Sequence, residues 1–458
     1  MKNLLVLFSF LFLVACGTQP TTIHIKDQPP WYFPAVLEVE EGTTVTFDDS
    51  MAAVVHPILA LSGPANLSSG HFKETWSYTF TEPGIYHYYC PVHPYMQGLI
   101  GVGMSVPKDM IPYWAQSWPP HTAQQPTPGP TPTTPGIGEV WLDAQFYPKN
   151  TSDKPGAVIV IDAETWKVKK IIDDPRLNNP HNLWLSSDGN NILQTNWFDS
   201  YLSVIDRYSG LITKHIYIGE SPAHVMTSHD KIYVTLQGAD GIAVLDGTTF
   251  EPVTTIRTTH GAHEHHNQAS DPGTGPHGNW INANMTRMAV AHTEGASISV
   301  WDLTTHTKIF EQPSDPLPLF AGISPDGTRA WTASLLSGAF VAYDIDTGDL
   351  LKEFVVGKAP IQAVPSPDGT LITTALTGDA GVVIINATTF EPIITLKTGA
   401  GAHGVIYGPK QGGGWYAYIS HKFVPWISVI DINTLTVAGH IPLPKEALGG
   451  QGILAVYN

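Results

Sequence analysis

One pattern constrains the fold of this chain more than any other: a short motif repeats seven times in its C-terminal part. In each copy an apolar run ends in Asp or Asn and a polar turn follows, as in VIDAETWKV, VLDGTTFEPV and VIDINTLTV. The motifs recur about every 42 residues, which is the length of one four-stranded propeller blade. Residues 138–458 are therefore predicted to form a seven-bladed β-propeller. The residues that mark the repeat are Asp162, Asp206, Asp246, Asp302, Asp344, Asn386 and Asp431.

The two ends of the repeat region complement each other. The terminal GILAVYN has no strand after it, and GEVWLDAQF near residue 138 has none before it. Together they would complete one blade and close the ring, which leaves no free sheet edge. The repeats resemble those of lactonase-like seven-bladed propellers, and SPDGT turns at 324 and 366 support the same blade pattern.

The region before the repeats indicates a separate small domain. Residues 22–106 alternate apolar and polar side chains, as in AVLEVEEGTTVTF and TWSYTFTEPGIYHYY, which is typical of half-buried strands in a β-sandwich. Residues 107–137 are rich in Pro and Thr, and such a composition predicts an extended linker. The fold class expected for the whole chain is all-β.

The N-terminal sequence indicates the cellular location of the protein. MKNLLVLFSFLFLVACG combines Lys2, an apolar run and a small-residue site before Cys16. Residues 1–16 thus resemble a bacterial lipoprotein signal, which implies a lipid anchor on Cys16 in the cell envelope or periplasm. An ordinary secretory signal is the alternative.

The formal charge of −17 argues against a nucleic-acid partner.

The first metal motif lies in YHYYCPVHPYMQG, where Cys90, His93 and Met96 have the spacing C-x2-H-x2-M. A thiolate, an imidazole and a thioether on one tight loop suit a copper ion that changes oxidation state. A second imidazole must come from an earlier strand, and His56 is the candidate. The motif resembles that of blue-copper cupredoxins, which implies a mononuclear copper that transfers single electrons. The alternative is a structural loop with Cys90 and Met96 in the core.

The second metal motif depends on the repeat. Aligned blades place one residue of each inner strand, and one at the end of the following strand, at the same mouth of the central channel. Six of these residues are histidines, and an all-imidazole site favours copper over calcium or magnesium. The alternative is that each histidine merely satisfies backbone groups. The six are His181, His224, His277, His292, His403 and His421.

One blade carries an insertion of about fourteen residues, and loops carry function more often than strands do. The insertion holds His260, His263, His265 and His266, and we expect His265 and His266 to complete the site from above. Lys422, next to His421, is the candidate catalytic residue because it could hydrogen-bond a substrate oxygen. A solvated Lys422 is the alternative.

The combination of a cupredoxin and a histidine-lined propeller resembles nitrous oxide reductase. That resemblance implies a multinuclear copper centre, with sulfide in the family, that reduces N2O to N2 and water. It also implies a small gaseous substrate, an external one-electron donor such as a cytochrome c or a cupredoxin, and a head-to-tail homodimer. Three features depart from the family: the domain order is reversed, the loop has a single Cys, and the blades are lactonase-like.

Three other functions stay open at this point. The chain could be a non-catalytic copper-binding or electron-transfer lipoprotein. It could be another copper oxidoreductase that acts on oxygen, nitrite or a different nitrogen oxide. A lactonase or other hydrolase would need channel carboxylates, and the predicted mouth positions show none.

Overall fold

The structure, a computed structural model of the full chain, describes the following residues: 21–26, 31–50, 56–65, 67–69, 72, 74–90, 96–107, 110, 127–145, 147, 156–197, 199–258, 274–335 and 337–457. The chain divides into two compact units, Met1–Pro120 and His121–Asn458. The predicted signal peptide, residues 1–16, lies outside the described residues. In the described part of the chain, no helix is long and apolar enough to cross a membrane.

The first unit contains two four-stranded sheets. Aromatic side chains from both sheets meet in the core: Phe47 lies 5.3 Å from Tyr88, and Phe80 lies 4.9 Å from Tyr86, between ring centroids. The unit is therefore the predicted β-sandwich. Its strands are β1 (Thr22–Ile25), β2 (Tyr32–Phe33), β3 (Val36–Val39), β4 (Thr43–Asp48), β5 (Leu59–Ser62), β6 (Thr75–Phe80), β7 (Gly84–Tyr89) and β8 (Gln97–Val102). The two sheets have the strand orders β2-β1-β4-β6 and β3-β8-β7-β5.

The second unit consists of seven blades of four antiparallel strands each, which confirms the predicted propeller. Blade 1 contains β9 (Glu139–Ala144), β10 (Ala157–Asp162), β11 (Lys167–Ile172) and the last strand, β36 (Gly450–Val456). Blade 2 contains β12 (Pro180–Leu185), β13 (Asn191–Asn196), β14 (Tyr201–Asp206) and β15 (Ile212–Tyr217). Blade 3 contains β16 (Pro222–Ser228), β17 (Lys231–Leu236), β18 (Gly241–Asp246) and β19 (Pro252–Arg257). Blade 4 contains β20 (Pro276–Ile281), β21 (Arg287–His292), β22 (Ser297–Asp302) and β23 (Thr307–Pro313).

Blade 5 contains β24 (Pro318–Ile323), β25 (Arg329–Ser334), β26 (Ala339–Asp344) and β27 (Leu350–Val355). Blade 6 contains β28 (Pro360–Pro365), β29 (Leu371–Leu376), β30 (Gly381–Asn386) and β31 (Pro392–Lys397). Blade 7 contains β32 (Ala402–Pro409), β33 (Trp415–His421), β34 (Trp426–Asp431) and β35 (Thr436–Pro442). Two short 3-10 helices, Gln237–Ala239 and Thr377–Asp379, follow β17 and β29.

The ring closes through the two ends of the repeat region. The C-terminal β36 pairs with β9 as the inner strand of blade 1, and β36 also contacts the inner strand β12 of blade 2. This confirms the closure predicted from the incomplete terminal repeats. The C-terminal part of the predicted linker lies against the same unit, where Trp166 donates a hydrogen bond to the carbonyl of Pro132 and Tyr416 to that of Thr134.

The residues that mark the sequence repeat stabilise the turn between the third and fourth strands of each blade. Asp246 is typical: its carboxylate accepts hydrogen bonds from the backbone N–H groups of Thr248 and Thr249. These hydrogen bonds lower the pKa of Asp246. An Asn can accept the same bonds, and Asn386 does so from Thr388 and Thr389. The conspicuous carboxylates are therefore structural.

The start of each inner strand has one geometry in all seven blades. The residue just before the strand has a positive φ, between 49° and 75°. After the first paired residue, the register with the next strand shifts, as a β-bulge does. Such a bulge redirects the following side chain. The positive-φ residues are Asn179, Ser221, Gly275, Leu317, Ala359, Gly401 and Gly449.

The closing strand should be decisive for stability. Leu454 of β36 is 4% exposed, so Leu454→Ala should lower the free energy of unfolding by about 2–4 kcal/mol through lost burial and a residual cavity. Leu350 of β27 is 50% exposed, and Leu350→Ala should cost less than about 0.5 kcal/mol. Urea unfolding followed by tryptophan fluorescence measures both, and equal costs would contradict the closure.

Candidate metal centres

Four histidines from four blades lie at the bulge near the start of the inner strand, three of them as its second residue and His224 as the third residue of β16. They are His181, His224, His277 and His403, and each is at most 8% exposed. One ring nitrogen from each of His181, His224 and His277 lies within 4.8 Å of the others. The Nε2 atoms of His181 and His277 are 3.2 Å apart. His403 faces the same space, because it interacts electrostatically with all three.

Burial keeps these imidazoles neutral. Loss of hydration, followed by the charges of His277 and His224, holds the pKa of His181 well below its usual range. Burial also lowers the pKa of His277 to about 4. The Nδ1 atoms of His181 and His403 are buried and have no hydrogen-bond partner among the described residues. Neutral imidazole is the form that binds metal ions, so this donor set fits a metal centre.

Lys422 lies in the same polar region rather than in solvent. It is 1% exposed, and its Nζ donates a hydrogen bond to Gln145 Oε1 at 2.6 Å. Burial lowers the pKa of Lys422 well below its usual range, while the nearby Asp143 carboxylate opposes that shift. The Lys422 charge in turn lowers the pKa values of His181, His277 and His403. The alternative of a solvated Lys422 is therefore wrong.

His292 and His421 do not join the four histidines. The Nε2 of His292 hydrogen-bonds Ser299 Oγ at 2.7 Å, and that of His421 hydrogen-bonds Ser428 Oγ at 2.9 Å. Asn196, at the same position in blade 2, makes the equivalent bond to Ser203. The last residue of the second strand therefore hydrogen-bonds a Ser of the third strand in these blades. In the described residues, the structure groups only His181, His224 and His277 within mutual ligand distance.

The prediction that His292 and His421 face the channel was wrong by one residue along the second strand of their blades. The residue after the second strand, not its last residue, donates its backbone N–H to the positive-φ residue at the channel. Because side chains alternate along a strand, a shift of one residue turns the side chain to the other face. Lys422 thus faces the four histidines, while His421 does not. The residues at the channel position are Gln145, Trp197, Gln237, Thr293, Leu335, Thr377 and Lys422.

The opposite wall of the channel is apolar. Blades 5 and 6 carry Leu319 and Ile361 where blades 2, 4 and 7 carry histidine. Together with Leu335 they form a buried cluster of their own, distinct from the cores between blades. The space beside the histidines is therefore bounded by imidazole on one side and by hydrocarbon on the other.

The histidine-rich insertion lies outside the described residues, as do His260, His263, His265 and His266. The residues on either side of it are described: Thr258 and Thr274 are hydrogen-bonded through their hydroxyls at 2.6 Å. Thr274 lies three residues before His277 in the chain. A ligand role for His265 and His266 stays a prediction.

The metal motif of the first unit has a buried frame. His56 precedes β5, Cys90 follows β7 and Met96 precedes β8, and all three are at most 1% exposed. The backbone N–H of Cys90 donates to the carbonyl of Met96 at 3.0 Å, which joins the two ends of the ligand loop. His93, within that loop, lies outside the described residues. These residue types in this frame fit copper.

Sequence reasoning missed one group at this site. The carboxylate of Asp49 accepts hydrogen bonds from the ring Nδ1 of His56 at 2.8 Å and from its backbone N–H at 3.0 Å. Both Asp49 and Cys90 raise the pKa of Tyr32, after the larger effect of burial, so the three side chains share one neighbourhood. The DDS sequence around Asp49 gives no signal, because a neighbouring surface Asp has the same local pattern.

The fold and the two sites define an all-β protein made of a cupredoxin-type sandwich and a seven-bladed propeller. Over 70 residues the chain is 39% identical to amicyanin from Paracoccus denitrificans, a stretch that covers 14% of this chain and 53% of amicyanin. The chain thus spans about half the length of the curated relative it matches. No family model matches the chain.

Two solved structures show the propeller fold. A functionally unknown protein from Desulfotomaculum acetoxidans has a TM-score of 0.54 at 14% identity, covering 70% of this chain and 99% of its own. A candidate 6-phosphogluconolactonase from Bacteroides uniformis has a TM-score of 0.52 at 17% identity, covering 69% of this chain and 99% of its own. Identities this low show the fold alone. The likeness to a cupredoxin and the histidine group together suggest copper-based electron transfer.

The corrected geometry separates ligands from structural histidines. In copper-loaded protein, His277→Gln should weaken binding of the propeller metal at least about tenfold, because it removes a nitrogen from the group. His292→Gln should retain the metal, because its ring is bonded to Ser299. Metal analysis after dialysis measures both, and loss of the same metal in both variants would contradict the assignment.

A carboxyl near the channel should make stability depend on pH. Glu294 is partly buried and accepts a hydrogen bond from Gln237 at 3.0 Å; burial raises its pKa from 4.5 to about 7. The folded state therefore keeps a proton that the unfolded state loses. As pH rises from about 4.5 to about 7, the free energy of unfolding should fall. In metal-free protein the loss should be on the order of 3 kcal/mol. Glu294→Gln should abolish that component in urea unfolding at several pH values.

Proposed function

We propose that this protein is a copper-dependent periplasmic reductase that converts nitrous oxide to dinitrogen and water. The observation that carries the proposal is the buried group of neutral imidazoles from separate blades, His181, His224 and His277, with His403 beside them. A cupredoxin-type unit in the same chain supplies the means of delivering electrons one at a time. The reaction balances as N2O plus two electrons and two protons giving N2 and H2O.

The donor set favours copper in the propeller. The grouped ligand atoms are all imidazole nitrogens, whereas calcium and magnesium require oxygen ligands. His181, His224, His277 and His403 would hold the metal, and more than one copper, with sulfide as in the family it resembles, would complete the centre. When bound, such a centre supplies stored electrons to the substrate. His265 and His266 are proposed as further ligands.

The residues of the chain itself prepare the substrate's surroundings. We propose that Lys422 Nζ, which donates a hydrogen bond to Gln145, also donates one to a substrate oxygen beside the histidines. The inner strands are rigid elements, so the imidazoles need little reorganisation when substrate enters. Burial excludes water, which strengthens that hydrogen bond.

The apolar wall favours an uncharged substrate. Leu319, Leu335 and Ile361 offer no hydrogen-bond donor to an anion, so nitrite would lose its hydration there without compensation. A small, weakly polar gas loses little hydration. This supports nitrous oxide over an anionic nitrogen oxide.

The cellular setting completes the proposal. A lipid on Cys16 would hold the protein at the membrane of the cell envelope, and an external cytochrome c or cupredoxin would reduce the copper at Cys90. A head-to-tail homodimer, as in the family it resembles, would bring the electron site of one subunit to the propeller of the other.

A second candidate is a copper-binding electron carrier without catalysis. The likeness to amicyanin favours it, because that likeness concerns the first unit alone. The two functions differ in copper content and turnover. A carrier holds one copper per chain and consumes no nitrous oxide, whereas the reductase holds several and does.

The proposed reductase function predicts that the propeller copper carries out turnover and that the copper of the first unit gives the blue absorbance. Copper-loaded protein, reduced by a viologen under anaerobic conditions, should consume nitrous oxide in a headspace assay. His277→Ala should abolish turnover and keep the blue absorbance, because the two metals are bound by different units. Cys90→Ser should remove the blue absorbance and keep the propeller copper. His292→Gln should remain active, and a fully active His277→Ala variant would contradict the proposal.

A further inference from the structure

The central channel of the propeller widens at its other end into a cavity of about 450 Å³. The four histidines lie near the starts of the inner strands, whereas this cavity lies where those strands end. Met285 and Tyr457, which are 43% and 40% exposed, stand at its rim, so the cavity opens to the surface of the propeller. The strand ends that line it are Leu185, Ile281, Ile323, Pro365 and Val456.

The lining of the cavity offers few polar groups to a ligand. Among the described residues that line it, none is charged, although the whole chain has a formal charge of −17. Most of its polar side chains are already hydrogen-bonded within the protein. The hydroxyls of Ser187 and Thr227, for example, donate to backbone carbonyls, and the Tyr407 hydroxyl is bonded to that of Thr373. An ion would lose its hydration there without compensation, so the cavity favours a small uncharged molecule.

Three aromatic side chains lie between this cavity and the histidines. Trp184 and Trp280, the fifth residues of β12 and β20, line the cavity, and their ring centroids are 5.5 Å apart. The Trp280 ring lies 5.9 Å from the Phe320 ring, which in turn lies 6.1 Å from the His224 imidazole. A continuous row of rings therefore joins the cavity to the histidine group.

The two tryptophans reach across the channel. Trp280 belongs to blade 4, yet it packs against a hydrophobic cluster that contains Ile406 of blade 7 and Ile453 of blade 1. Trp184 of blade 2 packs against the same cluster and also against the one that contains Met226 of blade 3. The indoles thus form a barrier with apolar neighbours on several sides. Small side-chain rotations at such a barrier would pass a small gas and still exclude hydrated ions.

We propose that this cavity is the entry chamber of the propeller. It takes up a small uncharged gas and passes it between Trp184 and Trp280 to the histidine group, where Leu319 and Ile361 continue the apolar surface. The identity of the gas as nitrous oxide rests on the proposed function, whereas the uptake of an apolar molecule rests on the cavity alone.

Xenon tests the chamber without any metal or turnover. Apolar cavities in proteins stay dry and bind xenon, because the atom has no hydrogen bonds to lose. Crystals of the full-length protein under xenon pressure should show xenon in the cavity, beside Trp184, Trp280 and Ile406. A cavity without xenon would overturn the inference.

Carbon monoxide, a small uncharged gas that binds Cu(I), tests the route. In copper-loaded, reduced, full-length protein, Trp280→Phe should raise the rates of carbon monoxide binding to and release from the propeller copper severalfold, as followed by flash photolysis. The affinity should stay unchanged, because a lower barrier speeds both directions equally. Trp415→Phe changes another half-buried tryptophan, one that does not line the cavity, and should leave both rates unchanged.

The outcomes separate the route from the proposed function. Unchanged rates in Trp280→Phe, or equal changes in the two variants, would overturn the route while leaving the reductase intact. Absence of copper from the propeller would overturn the reductase and the route together, and xenon in the cavity would then still support a chamber for apolar molecules.

Discussion

The propeller's chemistry depends on one repeated backbone constraint: a left-handed residue followed by a bulge at the start of every inner strand. The constraint turns one side chain per blade toward the channel without relying on long loops. Because it is satisfied even by Leu317 and Ala359, whose φ values are unfavourable for residues with a side chain, the surrounding hydrogen bonds must hold it. Function then depends only on which side chain each blade supplies.

Because the backbone geometry is the same in every blade, different blades can supply different side chains to the channel. Blades 2, 3, 4 and 7 supply imidazoles, while blades 5 and 6 supply Leu319 and Ile361. Gly278, next to His277, allows the inner strands of blades 4 and 5 to pack closely. A Cβ there would lie 2.3 Å from the carbonyl oxygen of Leu319, so only glycine lets blades 4 and 5 approach this closely. The close approach joins their inner strands by a bridge between Gly278 and Phe320.

Most of the fold could be predicted from sequence, because the Asp turn at Asp246 and its counterparts repeats with the period of a blade. The closure by β36 followed from the incomplete terminal repeats. The inward position of His181, His277 and His403 followed from alignment of the same strands, and His224 reaches the same group from one residue further along its strand. His292 and His421 were misplaced, since sequence periodicity does not fix a strand's register to a single residue, and one residue reverses the face.

Other parts of the sites carry no local signal in the sequence. Asp49 reaches His56 only through the packing of the sandwich, and Asp143 meets Gln194 and Lys422 only because β36 returns to pair with β9. Such contacts join residues far apart in the chain, so a single sequence cannot reveal them. They are also the contacts that set charge and hydrogen bonding around each proposed metal.

The central claim is that imidazoles from separate blades meet over the propeller axis to bind copper. Anomalous diffraction at the copper absorption edge, on crystals of copper-loaded protein, tests it most directly. The account predicts one peak beside Cys90 and additional peaks on the axis, within bonding distance of nitrogens of His181, His224 and His277. Copper confined to Cys90, with an empty channel between intact histidines, would contradict it.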